Sequence, residues 1–231
     1  MFFDRKYKLL DTNFFRGFVD YHSHILPAVD DGVESVDDAV AILNHYEEMG
    51  VKKVVFTPHI ADSFPQNSAS FLRSEFEKFR SLYSGDIELH LAAEYMLDSN
   101  FYTHFQSGDL LTLWDNYLLI ETSYIEAPIN FTQTLQKIQS EGYFVVLAHP
   151  ERYTYMNREL YTELIDMNIL FQLDLLSLSG YYGGESKNRA GYLLGKDMYK
   201  IVGTDIHSLK QCEVDLKNTK LKEKIIKKLN R

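Results

Sequence analysis

Short apolar runs alternate along this chain with stretches whose apolar residues recur every three or four positions, the signature of strands alternating with amphipathic helices. The runs predict strands over 17–21, 53–57, 87–93, 117–120, 143–148, 169–173 and 200–203. The first helix between them is marked by Ser35 as N-cap with Asp38 three residues on, by Ala39, Leu43 and Tyr46 on one face, and by Gly50 as terminator. A second carries Leu72, Phe76, Phe79 and Tyr83 on one stripe and stops before Gly85. A third runs over 130–141, with Phe131, Leu135 and Ile138 inward and Gly142 at its end. Strands that alternate with helices pair in parallel through right-handed crossovers. About seven such units predict an α/β fold, either a small β/α barrel or an open doubly wound sheet; periodicity alone does not separate the two. There is no repeat, low-complexity tract or Pro/Gly-rich linker, so one domain spanning 1–231 is expected.

Hydrophobic residues make up 45% of the 231, enough for a sizeable core. The apolar runs are far too short to span a bilayer. The first twelve residues carry Asp4, Arg5, Lys6 and Lys8 in place of a hydrophobic leader, so neither membrane insertion nor export is expected. Cys212 is the only cysteine, which excludes an intrachain disulfide and points to a reducing cytoplasm. A net charge of −9 argues against a broad nucleic-acid surface. Such a chain can still hold a phosphate through a local concentration of cations, which bound metals supply.

In β/α barrels the functional groups gather at the C-terminal ends of the strands, and there metal-capable residues recur. The first strand ends in Asp20-Tyr21-His22-Ser23-His24, whose two histidines share a face in an extended chain and can grip one ion together. Asp30-Asp31-Gly32 follows in the next loop. Later strands end at His59, Glu94, Glu121, His149-Pro150-Glu151-Arg152 and Asp205-Ile206-His207. Taken singly, each has a bland alternative: a surface histidine, a helix-start carboxylate, a turn aspartate. Six strands placing such a residue at the same end is a different matter. His45, His90 and His104 fall outside the pattern and are expected to be structural or surface residues. Imidazole and carboxylate without cysteine suit zinc, manganese or iron.

With these motifs in order, the chain resembles the polymerase and histidinol phosphatase superfamily. The carriers are Asp-x-His-x-His-x-Leu-Pro with Asp-Asp-Gly over 20–32, Thr-x-His ending at His59, Ala-Ala-Glu-Tyr around Glu94, Leu-Ile-Glu ending at Glu121, Ala-His-x-Glu-Arg-Tyr over 148–153, and Thr-Asp-x-His over 204–207. Within that superfamily the chain is most similar to the manganese-dependent protein-tyrosine phosphatases of bacterial capsule and exopolysaccharide systems.

The resemblance implies a distorted seven-stranded (β/α) barrel with three divalent ions, manganese first, with iron, zinc or magnesium as alternatives. His22, His24, Glu94 and Asp205 would hold one ion. Glu94 would bridge to a second completed by Glu121 and His149, and Asp31, His59 and His207 would hold a third. Asp20 is expected to orient a histidine from behind. The implied activity is hydrolysis of a phosphate monoester by water activated on the ions, with no phosphoenzyme. The implied substrate is a phosphotyrosine protein such as a bacterial tyrosine kinase of polysaccharide export.

Arg152 is the candidate for holding phosphate and balancing transition-state charge, the alternative being a rim ion pair with Glu151 or another acid. Relatives tend to carry another arginine after the last motif; here Lys210 is the nearest cation and cannot reproduce a bidentate fork. A cysteine mechanism is excluded, because Asn218 stands where the arginine six residues after Cys212 would be. The loop 179–184 reads equally as an aromatic lid or an ordinary connection. Two rival readings stand beside the phosphatase: a histidinol phosphatase or other small-molecule phosphoesterase, and a non-catalytic metal-binding interaction module.

Overall fold

A computed structural model describes residues 5–230; residues 1–4 and 231, which belong to the expected domain span and, at the front, to the segment read as lacking a leader, lie outside the described residues. The strands are β1 (Lys6–Lys8), β2 (Val19–Ser23), β3 (Lys53–Phe56), β4 (His59–Ile60), β5 (Glu88–Leu91) and β6 (Glu94–Met96). They continue with β7 (Tyr117–Glu121), β8 (Phe144–Leu147), β9 (Leu170–Asp174), β10 (Tyr199–Gly203) and β11 (Lys220–Lys222). The helices are α1 (Val36–Met49), α2 (Ala69–Leu82), α3 (Phe101–Ser107), α4 (Phe131–Ser140), α5 (Arg158–Asp166), α6 (Gly184–Gly195) and α7 (Glu223–Leu229).

Two parallel sheets form the body. One has the order β2-β3-β5 and the other β10-β9-β8-β7-β6-β4, while β1 and β11 pair antiparallel as a separate ribbon. Each expected strand is present, and two of them are followed directly by a short further strand, β4 and β6, that was not expected. The second leaves its ladder at Thr57-Pro58, because proline has no N–H to donate, and resumes as β4 beside β6 in the larger sheet. The third steps at Ala92-Ala93 from β5 into β6. His59 and Glu94 are therefore the first residues after the break in each run, register partners at the seam between the sheets.

The result is a mixed α/β fold with parallel sheets. Among the described residues no continuous ladder joins all the parallel strands in one ring. Beyond β10 the chain meets β2 through a parallel bridge from Ser23 to Ile206, with His24 N donating to Ile206 O at 2.9 Å and Asp205 N to His22 O at 2.9 Å. This close approach carries the first and last motifs to the same place.

The helices follow the periodicity. Ser35 caps α1 by accepting from Asp38 N, Gly50 ends it at φ 88°, and Ala39, Ile42, Leu43 and Tyr46 are buried; losing such a cap costs about 1 kcal/mol. Leu72, Phe76 and Phe79 of α2 and Phe131, Leu135 and Ile138 of α4 are likewise buried. Truncating a residue of such a core to alanine typically costs about 2–5 kcal/mol. Among the described residues no helix is long and apolar enough to cross a membrane.

Candidate metal centre

Glu94 stands at the middle of the polar cluster. Its Oε2 lies 3.2 Å from His22 Nε2, 3.3 Å from His24 Nε2 and 3.3 Å from His59 Nδ1, while its Oε1 lies 3.1 Å from His149 Nε2. Asp205 Oδ1 closes the cage at 3.2 Å from His22 Nε2 and 3.4 Å from His24 Nε2. Glu121 lies behind, its Oε2 3.7 Å from His59 Nδ1 and its Oε1 3.7 Å from His149 Nε2. At the rim Asp31 Oδ1 lies 3.5 Å from His59 Nε2 and 3.7 Å from His207 Nε2. All nine residues named from the sequence as ligands are thus in one contiguous group.

The tautomers can be deduced from the neighbours. Gln172 Oε1 accepts from His149 N at 3.1 Å and can only accept from His22 Nδ1 at 3.0 Å, so His22 presents Nε2 to the cage. His24 Nδ1 donates to Asp30 Oδ2 at 2.8 Å, and His207 Nδ1 donates to Asp205 O at 2.8 Å. Asp30 also receives His59 N and Gly32 N, which makes it the brace of this corner while Asp31 faces outward. Gly32 is required here, because a Cβ would stand 2.2 Å from His24 O. Gly203 is required on the other side, where a Cβ would meet His22 Cβ at 2.4 Å. His149 and Asp205 both adopt positive φ, 29° and 52°, a backbone cost that the packing around the cage must offset.

The donor set fits divalent ions. Ligand atoms at about 2.0–2.2 Å from an ion stand roughly 3.0–3.5 Å from one another, which matches the spacings among His22, His24, Glu94 and Asp205. The side chains group as His24, Asp31, His59 and His207; His22, Glu94 and His149; His22, His24 and Asp205; and His59, Glu94 and Glu121, with the ligand atoms of each group within 4.8 Å of one another. The sharing differs from the sequence expectation, in which only Glu94 is shared: His22, His24 and His59 each belong to two groups as well. His59 Nδ1, His149 Nδ1 and Asp205 Oδ1 are buried with no hydrogen-bond partner. Leaving polar groups so deeply buried without a partner is costly, and cations in the cage would relieve that cost at His59 Nδ1 and Asp205 Oδ1.

Without ions, protons must serve instead. Burial disfavours the charged form of His22, yet the carboxylates of Glu94 and Asp205 outweigh it and raise the pKa to about 9. His24 is raised as well, burial being overcome chiefly by Asp30. Glu121 is pushed up to about 8 by burial and by the charge of Glu94. Burial and the Arg152 charge hold His149 down at about 4, so that ring is neutral and ready to coordinate.

Arg152 stands beside the cage. Its Nη1 donates to Asp205 Oδ2 and lies 3.7 Å from Asp174 Oδ2, and its guanidinium is sandwiched between the rings of Tyr124 at 4.6 Å and Tyr182 at 4.0 Å. The ion pair that is the alternative role for Arg152 forms with another acid, Asp205, and not with Glu151, which turns inward to Asp174 N and Tyr199 Oη. Lys210 is exposed, and among the described residues it makes no ion pair or hydrogen bond to the cage.

Asp20 contacts no histidine ring. It accepts instead from Thr204 N and Oγ1, from Tyr46 Oη and from His22 N, tying β2 to the end of β10. The residues that orient the rings are Gln172 and Asp30. Gln172 left one signal in the sequence, a polar residue inside the apolar run of β9. His45, His90 and His104 lie away from the cage, His45 pairing with Glu213 and His90 with Thr112 O. Cys212 is buried and its thiol is pushed up to about 12 by that burial, which leaves it inert as a nucleophile.

A histidine–carboxylate cage at the ends of parallel strands, with a cation beside it, is a site suited to divalent ions and an anionic ligand. The chain belongs to the CpsB/CapC family of capsular polysaccharide synthesis, whose profile matches residues 18–231. It is 28% identical over 198 residues to the tyrosine-protein phosphatase YwqE of Bacillus subtilis, covering 83% of this chain and 78% of the relative. It is 29% identical over 202 residues to the tyrosine-protein phosphatase CpsB of Streptococcus pneumoniae, covering 83% of each. Its fold matches a chain from the crystal structures of YwqE and CpsB, described as unique metal-dependent tyrosine phosphatases, with a TM-score of 0.79 at 24% identity over 87% of this chain and 84% of that one.

Proposed function

We propose that the chain is a metal-dependent protein-tyrosine phosphatase, a single domain over 1–231 in which the strands form a distorted seven-stranded barrel. The observation that carries this reading is Glu94, whose two carboxylate oxygens lie within 3.3 Å of four imidazoles drawn from β2 and the residue after it, from β4 and from the segment just beyond β8. The proposed ligands of three divalent ions, manganese first, are His22, His24, Asp31, His59, Glu94, Glu121, His149, Asp205 and His207. Bound there, such ions would neutralise the phosphate dianion and supply an activated water at neutral pH.

The chain's own residues do the rest. Gln172 and Asp30 fix two rings so that Nε2 faces the cage. Arg152 is proposed to hold the phosphoryl oxygens; in support, only Nη1 is engaged by Asp205 and Asp174 among the described residues, and a guanidinium has five N–H donors. Tyr124 and Tyr182 keep the fork in place and offer flat apolar walls to an aryl ester. Tyr124 also donates to Glu121 Oε1 at 2.7 Å, linking the arginine's wall to the cage. Lys210 is assigned a lesser part, as a mobile point charge at the rim. A phenolate leaving group, with a pKa of about 10, departs without full protonation.

The family's role in capsule synthesis supports a cytoplasmic enzyme whose substrate is a phosphotyrosine protein, a bacterial tyrosine kinase of polysaccharide export first among them. Turnover of a phosphotyrosyl peptide and of histidinol phosphate by manganese-loaded protein tests the substrate. The peptide is expected to be hydrolysed with the higher kcat/KM. Strong preference for histidinol phosphate would move the chain to small-molecule chemistry, and hydrolysis of neither would leave it a binding module.

A further inference from the structure

The ribbon of β1 and β11 carries a concentration of positive charge that the catalytic reading does not use. In a chain of net charge −9, the final fifteen residues hold six lysines and one arginine against a single acid, Glu223. β11 brings part of that segment back beside β1, pairing Lys6 with Lys222 and Lys8 with Lys220. Alternation along each strand puts these four on one side of the ribbon, while Leu221 is buried and Tyr7 packs against the core on the other. Like charges directly opposite each other, as Lys8 and Lys220 are, are unfavourable in a two-stranded pair, so an anion lying beside that pair would stabilise it.

The ribbon borders a groove of about 620 Å³ lined by Lys6, Lys8, Lys220, Asn218 and Tyr181, with Asp215 as the acid in its wall. A second hollow of about 550 Å³ is lined by Lys187, Lys222, Lys224 and Lys228, with Leu194 and Ile225 among its apolar residues. The first groove is linked to the catalytic centre by direct contacts. Tyr181 packs edge-on against Tyr182 at 4.8 Å, and Tyr182 lies over Arg152 at 4.0 Å.

We propose that the groove along the β1–β11 ribbon is a docking site for an acidic stretch of the phosphoprotein, adjacent in its sequence to the phosphotyrosine held at Arg152. This rests on the phosphatase reading and deepens it. Lys6 and Lys8 are two residues apart on a strand, roughly 6.5–7 Å, the spacing of alternate side chains in an extended peptide. An extended substrate crossing Tyr181 thus sets acids at every second position against successive lysines. A concave site beside the catalytic centre suits a peptide better than a flat lipid surface.

The test compares two phosphotyrosyl peptides that differ only in flanking glutamates or glutamines, assayed on the full chain loaded with manganese. The native protein is expected to favour the acidic peptide by about tenfold in kcat/KM, through KM, and to lose that preference as ionic strength rises to about 0.5 M. In a Lys6→Glu/Lys8→Glu/Lys220→Glu variant the ratio is expected to fall to about one or invert, and a Lys→Gln triple variant at the same positions to bring it near one. Hydrolysis of both peptides with equal efficiency by the native chain, or a preference that survives both triple variants, overturns the docking site while leaving the phosphatase intact. Equal efficiency together with ribbon-dependent sedimentation on phosphatidylglycerol vesicles overturns it in favour of a membrane surface. Hydrolysis of neither peptide, with the metal site loaded, overturns the phosphatase reading on which the docking site rests.

Discussion

His22 and His24 face one another with their Nε2 atoms 3.1 Å apart. Both Nδ1 atoms are already committed as donors, to Gln172 and to Asp30, so in the neutral rings two lone pairs point into the same space. Something positive must lie between them. The ion-free chain can use a proton; a divalent cation held by His22, His24 and the two carboxylates beside them would supply the positive charge instead.

That competition sets a pH dependence with opposite signs in the two states. His22, raised from 6.5 to about 9, lends the ion-free fold stability that is complete below pH 6.5 and fades as pH rises through about 9. Glu121, raised from 4.5 to about 8, is costly to ionise in the fold, so it too lowers stability as pH climbs towards 8. Between pH 6.5 and 8 the thermal midpoint of chelator-treated protein is therefore expected to fall. Manganese must displace protons to bind, so its apparent affinity is expected to rise by up to about tenfold per pH unit for each proton released. Calorimetry of both forms across this window checks the two slopes; parallel slopes would count against the cage.

Gln172 offers a test of positioning apart from direct ligation. Its Oε1 holds the His22 ring and the His149 backbone together, and it reaches no ion itself in the proposed ligand set. Gln172→Leu is expected to weaken manganese binding by about 10–100-fold, with activity recovering at high metal concentration. Gln172→Glu, which keeps the acceptor, is expected to bind more tightly than the leucine variant. Unchanged affinity in the leucine variant would show that the ring is held by other means.

Arg152 is expected to act on turnover more than on substrate affinity. Arg152→Ala should lower kcat by about 10²-fold or more, and Arg152→Lys should recover little, because a point charge stacks poorly between Tyr124 and Tyr182 and cannot fork. Steady-state kinetics on para-nitrophenyl phosphate separates the cases. Near-normal kcat in the alanine variant would reduce Arg152 to an ion-pair partner of Asp205.

Most of this centre was legible in the sequence because its residues stand at strand ends, Asp31 in the loop after β2 being the exception. What escaped depends on tertiary placement. The periodicity that puts Asp20 on the face of His22 and His24 says nothing of Tyr46 and Thr204, which claim its carboxylate first. Gln172 is one polar residue in an apolar run, and its purpose is visible only once β9 lies beneath both histidines. Proline marks the break after Thr57, yet the transfer of that strand to a second sheet is a long-range choice. The β1–β11 ribbon joins three-residue strands from opposite ends of the chain, too short for any period to register. Its charge was open to view, hidden only by a net total of the opposite sign.

The most direct test of the cage is anomalous diffraction from crystals grown with manganese, recorded on both sides of the manganese absorption edge. Difference peaks are expected among His22, His24, Glu94 and Asp205 and beside His149 and Glu121, within about 2.0–2.4 Å of the side-chain donors. Manganese bound elsewhere on the chain, with this cluster left to protons, would contradict the account.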